Sequence, residues 1–331
     1  MFSYNNYSYT VIKSSYLHDL KMGGGQFSTI KIKDKISPYK STAIDYNKRI
    51  LFKKIHQEFL ERYRIAVNNI AISNAILCQD IINQRIIKTD RDNLGYGYND
   101  LYGNMDTTGT ASGLNSQRII NKAILELIEK NDAMLLWYKG LGYSLAIDSN
   151  ISKLIKKIGF SSDKIFIFVS NNLSNCNTFT VVCFKNKKLA ASGVNSDMSS
   201  YKALFNALTE AKLIEALFND QEANVYKNFT LADHIQIYER VNNFKKHMKK
   251  YHMCNSQVTT IKFPQWLKSL EIGVLNTKLS QDFISIRCFS KDLINSIPLK
   301  SNILNELDKT IFNVFNIDYK TIKQLPDCII I

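Results

Sequence analysis

The sequence predicts an α+β fold in which mixed helices and largely antiparallel sheets form one domain over residues 1–331. Several segments place apolar residues three and four apart, which is typical of amphipathic helices. Short β-branched and aromatic runs predict strands, and these do not alternate strictly with the helices as they would in a parallel sheet. No internal repeat or clear linker divides the chain.

Composition and charge restrict the class of protein. Hydrophobic residues make up 45% and charged residues 22%, which suffices for a folded core. No apolar run approaches the roughly 20 residues of a membrane span, and no signal peptide is recognisable. We therefore expect a cytoplasmic protein whose six cysteines are free and mostly buried. The net charge of +14 indicates either solvated basic faces or an anionic partner. No recognisable nucleic-acid module supports nucleic acid as that partner.

The first elements in chain order are an unclear segment and a helix. Residues 1–43 have a mixed pattern, and the glycines of Met22–Gly25 predict a flexible turn. Residues 45–65 predict a helix, because Leu51, Ile55 and their neighbours share one apolar face. Glu58 and Glu61 are three residues apart and lie on adjacent turns of it.

The next elements are a polar loop and a second helix. Residues 90–115 are rich in Gly, Asn, Asp and Thr, which predicts a long loop. Residues 116–138 predict a helix that Gly140 ends, and Glu126 and Glu129 repeat the earlier spacing. Strands over 164–169 and 178–184 predict a hairpin. The remaining predictions are a helix over 199–218, a helix over 232–250, a strand over 282–288 and a tail from Ile303 to residue 331 with one helix and an irregular end.

Two helices thus each carry a Glu-x-x-Glu pair on an otherwise apolar segment. A carboxylate there must be solvated, paired or bound to a metal. Two pairs around one cavity would supply oxygen ligands for Mg²⁺, which would in turn hold nucleotide phosphates. The alternative is two solvated surface pairs. A zinc site at His247, His252 and Cys254 is a weaker interpretation than a polar helix end, since four well-spaced ligands are not present.

Five segments in a fixed order carry a resemblance to a known family. They are His56–Tyr63, Gly109–Gly113 with Ala123–Trp137, Lys202–Ala211, Ala232–Tyr238 and Phe283–Arg287. Together they resemble the YcaO family, with its Glu-x-x-Glu-Arg helix, its small-residue loop before a Leu-Glu-x-x-Glu helix, and a late strand with an arginine. The resemblance spans about residues 41–290 and implies a YcaO-like fold around a nucleotide cleft.

The resemblance also implies an ATP- and Mg²⁺-dependent enzyme that acts on peptide backbone amides. In the azoline-forming branch, a Cys, Ser or Thr side chain attacks the preceding carbonyl carbon, and ATP phosphorylates the amide oxygen. Loss of phosphate from this phosphorylated hemiorthoamide leaves a thiazoline or oxazoline. Thioamide-forming and amidine-forming members, or a non-catalytic scaffold of the same fold, are the alternatives.

Site residues follow by matching motif positions, although the resemblance identifies no catalytic residue. The implied magnesium ligands are Glu58, Glu61, Glu126 and Glu129, and the implied nucleotide contacts are Ser112, Lys122, Glu210, Arg287 and Arg62. Arg62 and Lys130 each follow a glutamate pair and are better interpreted as salt-bridge residues. Lys130 and Asn131 replace the family's usual Arg and Asp, and Leu213 stands where a glutamine is usual. These departures and the lack of the family's proline-rich tail favour the scaffold alternative.

The implied partners are those of a multi-protein bacteriocin synthetase, which makes an antibiotic peptide. They are the ribosomally made precursor peptide, a partner protein that binds the leader segment of that peptide, and a flavin dehydrogenase. A family tail rich in proline is not present, because the last residues contain a single proline, Pro326.

Overall fold

The computed structural model describes residues 8–12, 19–26, 31–32, 35–36, 40–67, 75–218, 224–275 and 284–330. The helices of these residues are α1 (Lys48–Val67), α2 (Ser116–Lys139), α3 (Ser149–Ile158), α4 (Ser200–Ala216), α5 (Leu231–His247), α6 (Lys300–Ile303), α7 (Thr310–Val314) and α8 (Tyr319–Gln324), with a 3-10 helix over Arg91–Leu94. The strands are β1 (Ser8–Ile12), β2 (Lys21–Gln26), β3 (Lys31–Ile32), β4 (Lys35–Ile36), β5 (Lys40–Asp45), β6 (Ala75–Asp80), β7 (Arg85–Asp90), β8 (Gly97–Asn99), β9 (Gly103–Met105), β10 (Thr110–Gly113), β11 (Tyr143–Leu145), β12 (Lys164–Ser170), β13 (Asn177–Lys185), β14 (Lys188–Asp197), β15 (Lys250–Tyr251), β16 (Glu271–Val274) and β17 (Ile284–Phe289).

Two five-stranded sheets form most of the structure. The first has the order β10-β17-β16-β6-β7 and is antiparallel throughout. The second has the order β14-β13-β12-β11-β15 and is antiparallel except for the β11–β15 pair. A three-stranded antiparallel sheet, β1-β2-β5, comes from the N-terminal part of the chain. The predicted α+β fold class, with mixed helices and largely antiparallel sheets, is confirmed.

Helix α2 lies between the two five-stranded sheets. It contacts β10 and β17 of one sheet and β13 and β14 of the other. Sheets on two sides cover nearly its whole circumference, so residues 123–138 are buried except for Glu126, which is half-buried. Polar residues of α2 are therefore enclosed together with its apolar ones.

Helix α4 covers the other face of the second sheet. Side chains alternate between the faces of a strand, and the sheet divides its apolar residues accordingly. Val182, Phe184 and Val194 belong to the core cluster of α2, whereas Val181, Cys183 and Ala191 belong to that of α4. Helix α1 packs on β2 and β5 and also contacts β10. Three helices therefore approach the β10 and β14 edges of the two large sheets.

Several predicted elements are confirmed. The hairpin is β12 and β13, with Phe166 opposite Val182, and the four predicted helices are α1, α2, α4 and α5 with ends shifted by a few residues. The late strand is β17, although Asp282 and Phe283 lie outside the described residues. The single-domain organisation stays a prediction.

Three local predictions were wrong. Met22–Gly25 is not a turn but part of β2, because pairing with both β1 and β5 satisfies the backbone of its glycines. The 90–115 loop contains the 3-10 helix and β8, β9 and β10. The tail from Ile303, where α6 ends, holds two short helices, α7 and α8, rather than one. Long-range pairing and packing determine the conformation of all three segments. Local sequence patterns do not reveal such contacts.

The cysteines are all free, as the sequence predicts, and five of the six are buried. Only Cys254, which follows β15, is exposed. Burial raises the pKa of the Cys78 thiol to about 12 and that of Cys176 to about 11. Among the described helices, none has the length and apolar character needed to cross a membrane.

Candidate active site

The candidate site lies along α2, which buries the polar residues Glu129–Asp132 in one turn. Polar groups enclosed between two sheets need partners, because the loss of hydration is costly. The Asn131 amide donates to the carbonyl of Ile294 at 2.9 Å and accepts from the N–H of Ile294 at 3.0 Å. Glu129 and Lys130 pair with each other, with 3.2 Å between Oε1 and Nζ, as expected for a salt-bridge residue at 130.

Asp132 binds the turn of the β12–β13 hairpin. Its carboxylate accepts from the N–H of Asn172 at 3.2 Å and from the hydroxyl of Thr178 at 2.8 Å. No cation forms a salt bridge with it among the described residues. Burial raises the pKa of Asp132 to about 7, even though these hydrogen bonds lower it.

The chain enters α2 through strand β10, which ends one residue after Ser112. Gly109 precedes this strand with a φ of +76°, and a Cβ there would lie 2.1 Å from the carbonyl oxygen of Cys288. Only glycine suits this position. Asn115 caps α2, because its Oδ1 accepts from the N–H of Arg118 at 2.9 Å. The position of Ser112 is therefore fixed from both sides.

The glutamate pair of α1 is tied to both β10 and α2. Glu61 Oε1 accepts from the N–H of Ser112 at 3.0 Å and from Lys122 Nζ at 2.8 Å. Glu58 forms a salt bridge with Arg62 one turn further along α1. Burial raises the pKa of Glu58, although Arg62 opposes that shift.

The edge of β14 brings a third helix to the site. This strand lies at one end of its sheet, where backbone N–H groups have no strand partner. The N–H of Val194 donates to Glu210 Oε2 on α4 at 2.9 Å, and the N–H of Ser196 donates to Glu129 Oε2 on α2 at 3.2 Å. Both carboxylates raise the pKa of Lys130, so its ammonium interacts electrostatically with acids from α2 and α4.

Glu126 connects the α1 pair with the β14 edge. It forms no hydrogen bond or salt bridge within the described part of the chain. Burial raises its pKa well above the ordinary value, and although Lys122 opposes this shift, Glu61 and Glu129 add to it. Glu126 therefore feels carboxylates from both α1 and α2.

The structure thus brings the five predicted glutamates into one electrostatic cluster. Burial raises the pKa of Glu210 to about 7. Lys130 opposes this shift, whereas Glu129 and Glu58 add to it. We call this set the carboxylate cluster; it consists of Glu58, Glu61, Glu126, Glu129 and Glu210, with Arg62, Lys122 and Lys130 as its cations.

The carboxylate cluster has the donor chemistry that Mg²⁺ prefers. Glu126 is the member that would gain most from a cation, because it is half-buried near like charges and has no partner within the described residues. As the side chains stand, the described residues contain no group of three His, Cys, Asp or Glu side chains gathered around one point, either here or at His247, His252 and Cys254. Magnesium ligation by these glutamates therefore stays a prediction.

Arg287, a predicted phosphate contact, is bonded to backbone carbonyls inside the protein. It is fully buried in β17 and donates to the carbonyls of Leu94 at 2.8 Å, Gly95 at 2.9 Å and Asp106. Burial lowers its pKa to about 10. The structure shows a guanidinium that bonds three backbone carbonyls, and its contact with a phosphate stays a prediction.

Two residues of this region were not identified as site residues from the sequence. Arg64 of α1 donates through Nη1 to Ser285 Oγ of β17 at 2.7 Å, and Ser285 Oγ is hydrogen-bonded to Ser112 Oγ. Arg64 and Ser285 are 221 residues apart; Arg64 follows the segment His56–Tyr63, and Ser285 lies within Phe283–Arg287 but has no role that the resemblance implies. No local signal could have identified this contact.

Comparison with solved structures finds proteins of the same fold. A YcaO protein from Methanopyrus kandleri, bound with AMPPCP and Mg²⁺, has a TM-score of 0.69 over 88% of this chain and 88% of its own, at 9% identity. A chain of the E. coli microcin synthetase McbBCD complex with pro-MccB17 bound has a TM-score of 0.60 over 89% of this chain and 93% of its own, at 11% identity. A heterocyclase in complex with substrate and cofactor has a TM-score of 0.56 over 86% of this chain and 49% of its own, at 13% identity.

Comparison at the level of sequence gives the family. A search of curated proteins finds no match. A family model described as YcaO cyclodehydratase, ATP- and Mg²⁺-binding, matches residues 40–284, which hold the whole carboxylate cluster but not Arg287. This match confirms the predicted cofactors, ATP and Mg²⁺, and it covers most of the chain. This chain belongs to the YcaO family.

Proposed function

We propose that this protein cyclodehydrates Cys, Ser or Thr residues of a ribosomally made precursor peptide to azolines, using ATP and Mg²⁺. The carboxylate cluster is the observation that carries the proposal, because helices α1, α2 and α4 bring buried and half-buried acids to one place, together with their basic partners. Such a set suits a metal-bound triphosphate better than it suits an apolar ligand. The fold similarity to a heterocyclase and to a microcin synthetase supports the azoline branch.

The proposed chemistry turns a poor leaving group into a good one. The side-chain sulfur or oxygen attacks the preceding carbonyl carbon, and the amide oxygen takes the γ-phosphoryl group of ATP, which releases ADP. The attack closes the ring and releases the proton of the side chain. The amide nitrogen then loses its proton as phosphate departs, which leaves a carbon–nitrogen double bond in the ring. The peptide loses one water for each ring. Mg²⁺ supplies positive charge beside the transferring phosphoryl group.

In this proposal, the site residues that the resemblance implies have two roles. Glu58, Glu61, Glu126 and Glu129 hold Mg²⁺, whereas Ser112, Lys122, Glu210, Arg62 and Arg287 contact the nucleotide. Cation binding to Glu61 would release Lys122, which is half-exposed and forms a 2.8 Å salt bridge with that glutamate. The released ammonium would then be available to a phosphate.

The proposed partners are the precursor peptide, a protein that binds its leader segment and a flavin dehydrogenase. Support comes from the microcin synthetase relative, whose structure is that of a McbBCD complex with pro-MccB17 bound.

The direct test is the mass of the peptide product. We expect the purified protein with ATP, Mg²⁺, precursor peptide and partner to yield a peptide lighter by one water for each ring. Glu126→Gln should abolish this change, while Glu239→Gln, at an exposed position of α5, should leave it intact. A peptide of unchanged mass would overturn the proposal, and an exchange of oxygen for sulfur would indicate the thioamide branch instead.

A non-catalytic scaffold is the second candidate. The observation that favours it is that Lys122 and Lys130 already neutralise Glu61 and Glu129. A scaffold would bind no Mg²⁺–ATP, whereas the enzyme would bind it and lose that binding on Glu126→Gln. Calorimetric titration of ATP with Mg²⁺ distinguishes the two.

A further inference from the structure

A chain of buried hydrogen bonds runs behind the carboxylate cluster, from α1 through β17 to β10. Arg64 Nη1 donates to Ser285 Oγ at 2.7 Å, Ser285 Oγ is bonded to Ser112 Oγ, and the N–H of Ser112 donates to Glu61 at 3.0 Å. Arg64, Ser285 and Ser112 are exposed by only 2%, 0% and 3%. The chain thus links a buried guanidinium with a residue that touches the cluster.

Arg64 is a buried cation without an acid. Within the described part of the chain, it forms no salt bridge, and its Nη2 has no hydrogen-bond partner. Burial lowers its pKa accordingly. An uncompensated buried charge is costly, so its presence here indicates that a negative charge comes close when a ligand binds.

Counting protons along the chain shows that one hydroxyl proton is left without an acceptor. Arginine can only donate, so Ser285 accepts from Arg64. The other partner of Ser285 in the described structure is the Ser112 hydroxyl. If Ser285 accepted from both, its own buried O–H would have no acceptor, at a cost of about 1–3 kcal/mol. If Ser285 instead donates to Ser112, the proton left over is that of the Ser112 hydroxyl, at the end of the chain that touches Glu61, where a bound ligand could accept it.

We infer that Arg64 and Ser285 are positioning residues that make the Ser112 hydroxyl a donor to an anionic oxygen of the bound nucleotide. Ser285 orients the hydroxyl, and the Arg64 charge favours an anion at its end. The inference rests on the proposed function, because it takes that anion to be a phosphate. Neither Arg64 nor Ser285 touches the nucleotide in this account; both act through Ser112.

The test is a double-mutant cycle on nucleotide affinity. A non-hydrolysable ATP analogue with Mg²⁺ is titrated into the wild type, Ser285→Ala, Ser112→Ala and the double variant. We expect each single change to weaken binding about tenfold, which is roughly 1.4 kcal/mol. The double variant should bind no more weakly than Ser112→Ala alone, because Ser285 acts only through Ser112. Ser170→Ala is the matched control, since Ser170 is a buried serine of β12 that donates to the carbonyl of Leu141.

Arg64 variants provide the second measurement. Arg64→Lys keeps a charged donor and should retain most of the affinity, whereas Arg64→Met should lose about tenfold or more even where thermal melting shows a folded protein. Additive losses in the double variant, or equal affinities for the Lys and Met variants, would overturn the inference while leaving the proposed function intact. A wild-type protein that binds no nucleotide would instead show that the proposed function itself is wrong.

Discussion

Burial without a neighbouring cation controls the protonation of Asp132. Desolvation outweighs the hydrogen bonds from Thr178, Asn172 and Leu173, and the pKa of Asp132 rises from 3.8 to about 7. The folded protein therefore holds a proton that the unfolded chain releases above about pH 4. Stability that depends on this proton is present at low pH and is lost as the pH rises through 7.

Asp132→Asn should remove this pH dependence. The stability of the variant relative to the wild type should increase between about pH 5 and pH 8 by roughly 1–4 kcal/mol, because only the wild type has to bury a charge at the higher pH. Denaturant unfolding at the two pH values measures the difference. A difference that stays constant with pH would contradict the assignment.

The sequence singles out the acids of the site but not the residues that support them. Glu58, Glu61 and Glu126 stand out because they belong to Glu-x-x-Glu pairs in segments that resemble YcaO motifs. The structure brings them to one place, while their roles remain predictions. Arg64 and Ser285 did not stand out, since a contact between residues 221 apart leaves no local pattern.

The close approach of α4 to β14 depends on one glycine. A Cβ at Gly193 would lie 2.3 Å from the carbonyl oxygen of Ala207 and 2.5 Å from the backbone nitrogen of Ala211. These are backbone atoms of a helix, which can yield only by moving the helix. Glu210 lies on the same stretch of α4 and bonds to Val194, the residue after Gly193.

Gly193→Ala should therefore displace α4 and weaken the site. We expect a loss of about 1–3 kcal/mol in unfolding free energy and weaker nucleotide binding, because Glu210 moves with the helix. Gly24→Ala is the control, since its added Cβ would meet no atom closer than 3.8 Å. Similar losses for both variants would show that the α4–β14 contact is not special.

At the level of elements, segments with an apolar period or a β-branched run were predictable, whereas strands without such a local signal were not. Helices α1, α2 and α4 have clear apolar faces, and the β12–β13 hairpin has β-branched runs. Strand β14 contains Ala, Gly and Ser, which favour no strand locally; pairing with β13 and packing between α2 and α4 determine its conformation. The edge of this strand then orients two of the site's carboxylates.

Across the whole molecule, the carboxylate cluster joins parts that are distant in sequence. Helices α1, α2 and α4 and the two large sheets meet there. A ligand bound at this point therefore stabilises the complete fold.

Mg²⁺ and ATP together should raise the melting temperature by several degrees. At a free ligand concentration of about a hundred times the dissociation constant, binding stabilises the folded state by about 2.7 kcal/mol. A chelator should remove the shift, and Glu126→Gln should not show it. An equal shift with ATP and chelator would mean that binding needs no divalent cation.

The last described residues are part of the core. Ile330 is 2% exposed, and the carbonyl of Ile329 accepts from Ser192 at 2.7 Å and from Tyr226 at 3.2 Å. Ile330→Ala should lower the unfolding free energy by about 2–5 kcal/mol. Val314→Ala, at a position that is 40% exposed, should change it by less than about 1 kcal/mol. Denaturant melts of both variants provide the comparison.

The burial of five of the six cysteines has a practical consequence for studying this protein. A thiol reagent should modify the native state at Cys254 alone, because the other thiols are enclosed and burial raises their pKa. Unfolding makes all six reactive, so the number of reagent molecules incorporated per chain counts the unfolded fraction directly. A fluorophore attached at that single position would also report, without any engineered cysteine, when another protein docks beside β15.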